Sequence, residues 1–441
     1  MKNVFITTLG CKVNQYESAA FKTALGDNGL TIVKGPENAD LIIINTCAVT
    51  AGAGAQSRQT IRQALKKNPT ADIIITGCYA EIAANEISAD KELQGRGYSL
   101  IGNSKKDALV SHALGKGQGV QDILMGAIGD AREICRLPVR RFGERSRAYL
   151  RVQDGCESYC TYCIVPYTRG PSRSLPMDEV IEQARVFTEQ GHREIVLTGI
   201  HLGYYGKDLD KHCDLVTLLD KLTVATPQTS YRISSLEPLE ISDTLLSLMQ
   251  QRSNIQPHFH IPLQSGHDEI LARMNRRYTV EQFRDVITLC HERLPDAAIG
   301  IDILAGFPGE TDEHFSEALH FLRSLDFTYL HVFPYSIRPG TVAAGFNNQV
   351  LKKIKETRVA ALRDLSDQKR SQFYQRQLGR IRPVLVEGQR DNEGLLKGFT
   401  DNYVAIRFDG PDRLLNSITA VKLMSRKDSH VVGERVKNHE N

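Results

Sequence analysis

Three cysteines lie within eight residues of one another in the segment GCESYCTYCIVPYTRG, which spans residues 155–170. Cys156, Cys160 and Cys163 offer three thiolates, which are ligands of both zinc and iron–sulfur clusters. Structural zinc sites use four Cys or His ligands, and no partner pair stands nearby at zinc-finger spacing. A redox-active pair of Cys160 and Cys163 would leave Cys156 unused.

A [4Fe–4S] cluster is the third possibility for these cysteines. Three thiolates would leave one iron of the cluster open to an outside ligand. In radical chemistry this ligand can be S-adenosylmethionine, which is cleaved when the cluster donates one electron. The spacing therefore favours an iron–sulfur site with a fourth ligand from outside the chain.

Three further cysteines each follow a β-branched run near the amino terminus. Cys11 follows FITTLG, Cys47 follows LIIINT and Cys78 follows DIIITG. The carboxyl ends of parallel strands are neighbours in space, and open α/β sheets bind their ligands there. Free cysteine is also among the most buried residue types, so three separate buried thiols are the alternative. The shared position favours a second three-thiolate site.

The elements that must position these cysteines fall into three blocks and a linker. Residues 1–115 alternate short apolar runs with helical segments, which predicts a doubly wound parallel α/β sheet. Residues 116–140 are predicted to form a linker. Residues 141–371 repeat the βα unit six times, which predicts a partial (β/α)6 barrel with its chemistry at the strand carboxyl ends. Residues 372–441 predict a small antiparallel β-barrel of a type that often binds oligonucleotides.

The composition is ordinary for a globular enzyme, with 41% hydrophobic and 24% charged residues. No apolar run approaches the roughly 20 residues needed to cross a bilayer. The start, MKNVFITTLG, lacks the apolar core of a signal peptide. We therefore expect a cytoplasmic protein without a membrane partner, in which metal or catalytic use of cysteines is favoured over a disulfide framework.

Positive charge is concentrated in one stretch near the carboxyl terminus. Residues 351–390 carry 11 Lys or Arg against 4 Asp or Glu, although the formal net charge of the whole chain is only +3. Such a local surplus is a candidate contact surface for a polyanion. A solvated helix face is an equally good interpretation of this stretch.

The C-x3-C-x2-C spacing after the first barrel strand resembles the radical S-adenosylmethionine superfamily. In that superfamily the amino and carboxylate groups of the cofactor take the fourth cluster position. An aromatic residue precedes the last cysteine and would lie against the adenine. Tyr162 has this place in the sequence.

Several longer motifs narrow the resemblance to the methylthiotransferase family. The pattern GCxxxCxYCxxPxxRGxxRS matches Gly155 to Ser174, and the tail resembles the TRAM module of such enzymes. The other motifs are TLGCKVNQYES, INTCAVT, TGCYA, LTGIHLGYYG, RISSLEP, HIPLQSGHDEILARMNRRY, DILAGFPGET and FPYSIRPGT. After NTCAVT the chain reads AGAGAQ at residues 51–56, where the family usually has a more charged segment.

The resemblance implies two [4Fe–4S] clusters and S-adenosylmethionine as cofactors. The cluster that cleaves S-adenosylmethionine would be bound by Cys156, Cys160 and Cys163. The second cluster would be bound by Cys11, Cys47 and Cys78 and would carry an external sulfur atom. A reducing electron donor and a sulfur donor are implied as partners.

The substrate implied by the LGCKVNQYES signature is a tRNA. This signature is similar to the subgroup that converts N6-threonylcarbamoyladenosine at tRNA position 37 to its 2-methylthio derivative. Within the family, isopentenyladenosine at the same position and an aspartate of a ribosomal protein are the alternative substrates.

Other side chains at strand ends are expected to contact S-adenosylmethionine. Glu237 would bond its ribose or amino group, with a salt bridge inside the barrel as the alternative. Thr198 and Gly199 would lie close to the methionine part, and Pro308 would form a turn beside the adenine. Arg338 is a candidate for binding a carboxylate or phosphate of the substrate.

The remaining histidines and cysteines of interest are expected to be structural. His201 and His260 stand at strand ends, where a lone histidine is more often a hydrogen-bonded group than a ligand. The cysteines without a matching motif are Cys135, Cys213 and Cys290.

Overall fold

The amino-terminal part of the computed structural model, which describes residues 2–93, 95–115, 121–143, 146–209 and 212–436, is a six-stranded parallel sheet. The strand order is β2-β1-β3-β4-β5-β6, so the order reverses between β1 and β3. Ligand sites in open α/β sheets lie where the order reverses. The strands are β1 (Asn3–Thr8), β2 (Thr31–Ile32), β3 (Leu41–Thr46), β4 (Asp72–Gly77), β5 (Tyr98–Ile101) and β6 (Asp122–Leu124).

Helices accompany the strands of this sheet, and β3 and β4 are buried along their whole length. This burial explains their continuous apolar sequence. The strand β6 falls within residues 116–140 and pairs with β5, so part of the expected linker extends the sheet. Residues 116–120 of that linker lie outside the described residues. The helices are α1 (Lys12–Asp27), α2 (Ala51–Lys67), α3 (Cys78–Ile82), α4 (Ala84–Ser88) and α5 (Leu109–Gly115).

The central part is a partial parallel barrel of six main strands, as the sequence predicted. Two sheets, β7-β10-β11 and β12-β13-β14, are joined by a bridge between Tyr231 and Ile255. A short hairpin of β8 and β9 follows the first strand. The strands are β7 (Arg147–Arg151), β8 (Gln153–Asp154), β9 (Arg173–Ser174), β10 (Glu194–Thr198), β11 (Ser230–Ile233), β12 (His258–Gln264), β13 (Ala298–Ala305) and β14 (Tyr329–Pro334).

Side chains alternate between the two faces of the barrel strands. Phe259, Ile261 and Ile301 belong to the apolar core, so His260 and Asp302 face the lumen instead. The lumen is therefore polar, whereas the outer face packs on helices. The helices of this part of the chain are α6 (Val165–Arg169), α7 (Met177–Glu189), α8 (Leu215–Ala225), α9 (Asp243–Gln251), α10 (Asp268–Arg273), α11 (Val280–Arg293) and α12 (Asp312–Ser324).

Both edge strands of the partial barrel are covered by helices. The amino-terminal α1 packs against β7, and the 26-residue α13 (Lys352–Gln377) packs against β14. The α13 helix runs past residue 372, where the last block was expected to begin. A covered edge has no open row of backbone groups that could pair with another chain. None of the described helices is long and apolar enough to cross a membrane.

The carboxyl-terminal strands close into a barrel of order β15-β16-β17-β19-β18. One pair, β17 with β19, is parallel, whereas the sequence predicted antiparallel strands throughout. The strand β19 was not predicted, because Gly433 and two charged residues interrupt its apolar pattern. The strands are β15 (Ile381–Val386), β16 (Leu396–Thr400), β17 (Ala405–Phe408), β18 (Ile418–Arg426) and β19 (Val431–Arg435).

Candidate active site

The first three-cysteine segment forms a loop between β8 and α6 at the carboxyl end of the barrel. Gly155 begins the loop with φ at 77°, and a Cβ there would overlap the carbonyl oxygen of Pro171. The Asn275 side chain donates to the carbonyl oxygens of Ser158 and Tyr159 at 3.2 and 3.1 Å. The loop is therefore held in place by the segment that follows α10.

The sulfur atoms of this loop have different surroundings. His201 Nδ1 lies 3.5 Å from Cys156 Sγ, and the Ser158 amide donates to the same sulfur at 3.4 Å. Burial alone would raise the pKa of Cys156, but these hydrogen bonds lower it below the ordinary value. Burial raises the pKa of Cys163 to about 12, and it also raises that of Cys160.

A cavity of about 230 Å³ opens beside Cys160. Glu237 lines it, and one guanidinium nitrogen of Arg276 donates to both of its carboxylate oxygens at 2.7 Å. Arg276 also donates to the Tyr162 hydroxyl at 2.7 Å, and the Tyr162 ring packs edge-on against Phe307. Tyr162, Glu237 and Arg276 thus form one connected group next to the cysteine loop.

Of the five expected cofactor residues, Glu237 lines this cavity, whereas the other four do not: Tyr162, Thr198, Gly199 and Pro308. Thr198 is buried at the end of β10, and its carbonyl oxygen accepts from the Val152 amide. A Cβ at Gly199 would lie 2.8 Å from Gln153 Oε1, so this glycine makes room for a neighbouring side chain. Pro308 is buried next to Phe307, in the turn before Gly309.

The second set of cysteines meets at the reversal point of the amino-terminal sheet. Cys11 caps α1 after β1, Cys47 follows β3, and Cys78 begins α3 after β4. A Cβ at Gly10 would lie only 2.6 Å from Cys47 Sγ, and the thiol of Cys78 acts electrostatically on both other thiols. Burial raises the pKa of Cys47 to about 11 and raises that of Cys11.

A buried ionic network lies directly beneath these thiols. Arg169 donates to Asn14, Glu17 and Asp154 at 2.6, 3.1 and 2.8 Å. Lys106 also pairs with Glu17. The buried cations outnumber the two buried carboxylates four to two, the cations being Lys106, Arg151, Arg169 and Arg173.

This donor set fits an iron–sulfur cluster at each place. Cluster irons bind thiolates, and hydrogen bonds to the sulfurs together with nearby charge set their electronic properties. The Val165 amide donates to Cys163 Sγ at 3.4 Å. The Arg169 charge favours the ionised forms of Cys11 and Cys47. A cationic surplus beside three thiols suits an anionic cluster better than three neutral thiols.

The two cysteine sets lie on either side of one helix contact. The helix α6 begins two residues after Cys163 and packs against α3, which begins at Cys78. Asn103 connects them, because its amide donates to the Thr168 carbonyl at 2.6 Å and lies 3.8 Å from Cys78 Sγ. The fold therefore brings both sets to the boundary between the amino-terminal sheet and the barrel.

Arg338 also lies at this boundary. Its guanidinium donates to the carbonyl oxygen of Ala48, next to Cys47. The nearby segment 51–56 begins α2, where Gly54 approaches Arg338 and Tyr79. Arg338, expected to bind substrate, thus makes a contact between two parts of the fold.

The two histidines form hydrogen-bonded groups. His201 contacts Glu240 through Nε2 and stacks on Tyr204. His260 contacts Ser235 through Nδ1 and lies 2.9 Å from Asp302, which also pairs with His331. The ligand atoms of His260, Asp302 and His331 lie within 4.8 Å of one another, close enough to share a metal ion, although a hydrogen bond of 3.1 Å already joins the two imidazoles.

Sequence interpretation missed several residues of this region. Arg276 lies within the motif HIPLQSGHDEILARMNRRY, and Asn14 and Glu17 lie within TLGCKVNQYES. The sequence did indicate them, because these polar residues lie inside motifs that resemble those of the family. Their partners in the fold are distant in sequence, so only the structure identifies them.

Two family models match the chain. The radical SAM superfamily matches residues 150–322, and an uncharacterized protein family, UPF0004, matches residues 3–95. Among solved structures, the radical S-adenosylmethionine methyltransferase TsrM from Kitasatospora setae has a TM-score of 0.56 at 15% identity. That match covers 78% of this chain and 77% of the other, and it shows the fold alone.

Curated relatives cover nearly the whole chain. The threonylcarbamoyladenosine tRNA methylthiotransferase MtaB of Bacillus subtilis (strain 168) is 37% identical, over 96% of this chain and 94% of its own. The tRNA-2-methylthio-N(6)-dimethylallyladenosine synthase of Thermoanaerobacter sp. (strain X514) is 33% identical, over 99% and 93%. These matches confirm the resemblance and bring S-adenosylmethionine and [4Fe–4S] chemistry with it. The chain therefore belongs to the MtaB-like radical SAM tRNA methylthiotransferases.

Proposed function

We propose that this enzyme transfers a methylthio group to C2 of N6-threonylcarbamoyladenosine at tRNA position 37, using two [4Fe–4S] clusters. The observation that carries this proposal is the pair of three-cysteine sets on either side of the α3–α6 contact. Relatives named as acting on threonylcarbamoyladenosine, in Bacillus subtilis and Aquifex aeolicus, support the substrate. When bound, the clusters and S-adenosylmethionine would supply the radical, the sulfur and the methyl group.

The protein residues hold and orient these groups. Cys156, Cys160 and Cys163 would bind one cluster, and Cys11, Cys47 and Cys78 the other. Tyr162 would pack against the adenine of S-adenosylmethionine, and Glu237, oriented by Arg276, would bond its ribose or amino group.

The other proposed cofactor contacts come from residues at the carboxyl ends of the strands. Thr198 and Gly199 would position the methionine part of S-adenosylmethionine, and Pro308 would lie beside its adenine. A reducing electron donor and a sulfur donor would be needed as partners.

The alternative is a methylthiotransferase for isopentenyladenosine-37 or for a ribosomal-protein aspartate. The synthase relative from Thermoanaerobacter favours the first of these, because it matches 99% of the chain at an identity of 33%, only slightly below the 37% of the Bacillus subtilis relative. The two alternatives differ from the proposed function in substrate alone and would use the same cysteines.

Single-site variants test the division of labour between the two cysteine sets. With reconstituted protein, reductant and tRNA under anaerobic conditions, Cys160→Ala is expected to abolish 5′-deoxyadenosine formation. Cys78→Ala should still form 5′-deoxyadenosine but transfer no sulfur, because the radical-forming cysteines are intact. Cys290→Ala, in the buried face of α11, is the matched control and should do both. Methylthiolation by Cys78→Ala would contradict the two-cluster proposal.

A further inference from the structure

Three side chains from neighbouring strands of the partial barrel meet in its lumen. His260 lies on β12, Asp302 on β13 and His331 on β14, and Asp302 pairs in register with His331. Leu330 and Val332 pack with the apolar core, so His331 between them faces the lumen, as His260 and Asp302 do. These three residues form the lumen triad, whose positions are fixed by adjacent parallel strands.

One atom of each residue belongs to a nearly regular triangle. His260 Nε2 lies 2.9 Å from Asp302 Oδ1 and 3.1 Å from His331 Nδ1, and the third edge, from His331 Nδ1 to Asp302 Oδ1, is 3.3 Å. Zinc binds these donor atoms at about 2.0–2.2 Å, which separates neighbouring donors by about 2.9 Å in octahedral and about 3.3 Å in tetrahedral geometry. All three edges fit this range, so a single ion could contact the three atoms at ordinary bond lengths.

Protons alone do not satisfy all three edges of this triangle. If both facing nitrogens carry a proton, their N–H groups oppose each other across the edge between the imidazoles. If one nitrogen is unprotonated, its lone pair lies beside those of the carboxylate oxygen. Asp302 Oδ1 is buried and, within the described residues, accepts no well-directed hydrogen bond. A cation inside the triangle would interact favourably with all three atoms.

The surroundings of the lumen triad also suit a metal ion. Ser235 Oγ lies 2.6 Å from His260 Nδ1, the ring nitrogen outside the triangle. A hydrogen bond at this nitrogen leaves Nε2 as the ligand atom, as is usual for metal-binding histidines. The side chains of His260 and Asp302 are only 14% and 18% exposed, whereas that of His331 is 51% exposed. The triangle is therefore enclosed on one side and accessible beside His331.

The donor set indicates the class of ion. Imidazole nitrogens suit zinc, iron and the neighbouring transition metals, whereas magnesium and calcium prefer oxygen ligands. Three protein ligands leave coordination positions open, and one carboxylate leaves a divalent ion with net positive charge. Water or another oxygen ligand in the lumen would complete its coordination.

We propose that the lumen triad binds a divalent transition-metal ion of the zinc or iron class, in addition to the clusters of the two cysteine sets. The ion would join β12, β13 and β14 from inside the barrel and direct its open positions into the lumen. The site was not visible in the sequence, because His331 lies 71 residues from His260. It does not depend on which modified adenosine the enzyme accepts.

The test uses Mn²⁺ as the probe, because its free ion gives an electron paramagnetic resonance signal that is lost on binding. Reconstituted holoenzyme with oxidised, diamagnetic clusters is freed of other ions by brief treatment with a chelator and titrated anaerobically with Mn²⁺. His331→Gln removes a half-exposed ligand, and His331→Glu replaces it with a ligand of similar reach. His291→Gln is the matched control, because His291 also lies beside a carboxylate, 3.8 Å from Asp326, but outside the triad.

The wild type and His291→Gln are expected to bind about one Mn²⁺ ion per chain, which Zn²⁺ displaces because it binds such sites more tightly. The spin-echo spectrum of the bound ion should show nitrogen modulation from imidazole. His331→Gln should weaken binding at least about 10-fold, since even the loss of a group that orients a ligand costs about 10- to 100-fold. His331→Glu should bind nearly as well as the wild type with less nitrogen modulation, and all four proteins should contain equal iron.

Three results would overturn the inference. The first is a wild type that binds no Mn²⁺, or binds it without nitrogen modulation. The second is equal binding by the wild type and His331→Gln, which would place the ion elsewhere. The third is an equal loss in both His331 variants, which would assign the triad a hydrogen-bonding role. Should His331→Gln fail to load its clusters, the nitrogen modulation of the wild type and its decrease in His331→Glu decide.

Discussion

At the scale of residues, the carboxylate of Glu17 balances much of the positive charge beneath the second cysteine set. It is buried and contacts Lys106 and Arg169. Removing one partner from a buried ionic group leaves uncompensated charge, which is strongly destabilising. The same charges position Asn14, whose amide contacts the carbonyl oxygens of Leu9 and Thr46 beside Cys11 and Cys47.

Glu17→Gln is therefore expected to destabilise the cluster-free protein by about 3–5 kcal/mol, as read from urea unfolding. Arg169 and Lys106 hold the pKa of Glu17 below its ordinary value against the effect of burial. Its contribution is thus complete at neutral pH and is lost as the pH falls below that ordinary value. Glu37→Gln, which removes an exposed pair with Lys67, is the control. Equal unfolding midpoints for both variants would show that the network contributes little.

The cysteines were predictable from sequence because their spacing and their place after β-branched runs are local features. The pair of Glu237 and Arg276 was not, since its members lie 39 residues apart. Only the general possibility of a salt bridge at Glu237 was visible. The hydrogen bond of the Arg338 side chain was also not predictable, because its partner Ala48 lies in another part of the fold.

At the scale of elements, the basic stretch of residues 351–390 is mostly engaged within the fold. Arg358 pairs with Glu310, Arg376 with Asp326, and Lys369 donates to the carbonyl of Arg323. A long helix with a polar sequence packs on β14 by using cations to satisfy carboxylates and carbonyl groups. The surplus seen in the sequence thus overstates the charge available to an RNA.

The structure describes the whole of α13, and within the described residues the side chains of Lys353 and Arg363 form no ion pair. The double variant Lys353→Gln/Arg363→Gln is expected to weaken tRNA binding and to make it less dependent on salt. The slope of log K against log salt should fall by about 1 for each lost phosphate contact. Fluorescence anisotropy with labelled tRNA across a salt series measures both.

Arg376→Gln is the matched control, because it removes a cation of the same helix that already has a carboxylate partner. It should leave the salt slope near the wild-type value. If the double variant also left the slope unchanged, α13 would be a structural brace and the tRNA contacts would lie elsewhere.

The alternation of strands and helices made the elements themselves predictable. Strands β3, β4 and β10 lie where the sequence placed them, because each is a buried apolar run bounded by polar residues. Boundaries that depend on tertiary packing were not predictable. The helix α13 extends past residue 372, where the carboxyl-terminal block was expected to begin. The strand β6 lies within the expected linker and pairs with β5 of the amino-terminal sheet.

At the scale of the whole molecule, the amino-terminal sheet and the carboxyl-terminal barrel both pack against the partial barrel. The sheet covers the edge strand β7 through α1 and brings its cysteines to the α3–α6 contact. The carboxyl-terminal barrel places Tyr403 against His258 and Arg232, near the start of the strands. The reacting groups are thus expected at the opposite end of the lumen, between the two cysteine sets.

The most direct measurement is mass spectrometry of tRNA nucleosides from a bacterial host whose tRNA carries N6-threonylcarbamoyladenosine without the 2-methylthio group. Expression of the wild-type chain should convert this nucleoside to its 2-methylthio derivative, whereas the Cys78→Ala chain, expressed to the same level, should not. A wild-type chain that leaves this nucleoside unchanged, while adding the group to N6-dimethylallyladenosine in the same tRNA pool, would contradict the assigned substrate.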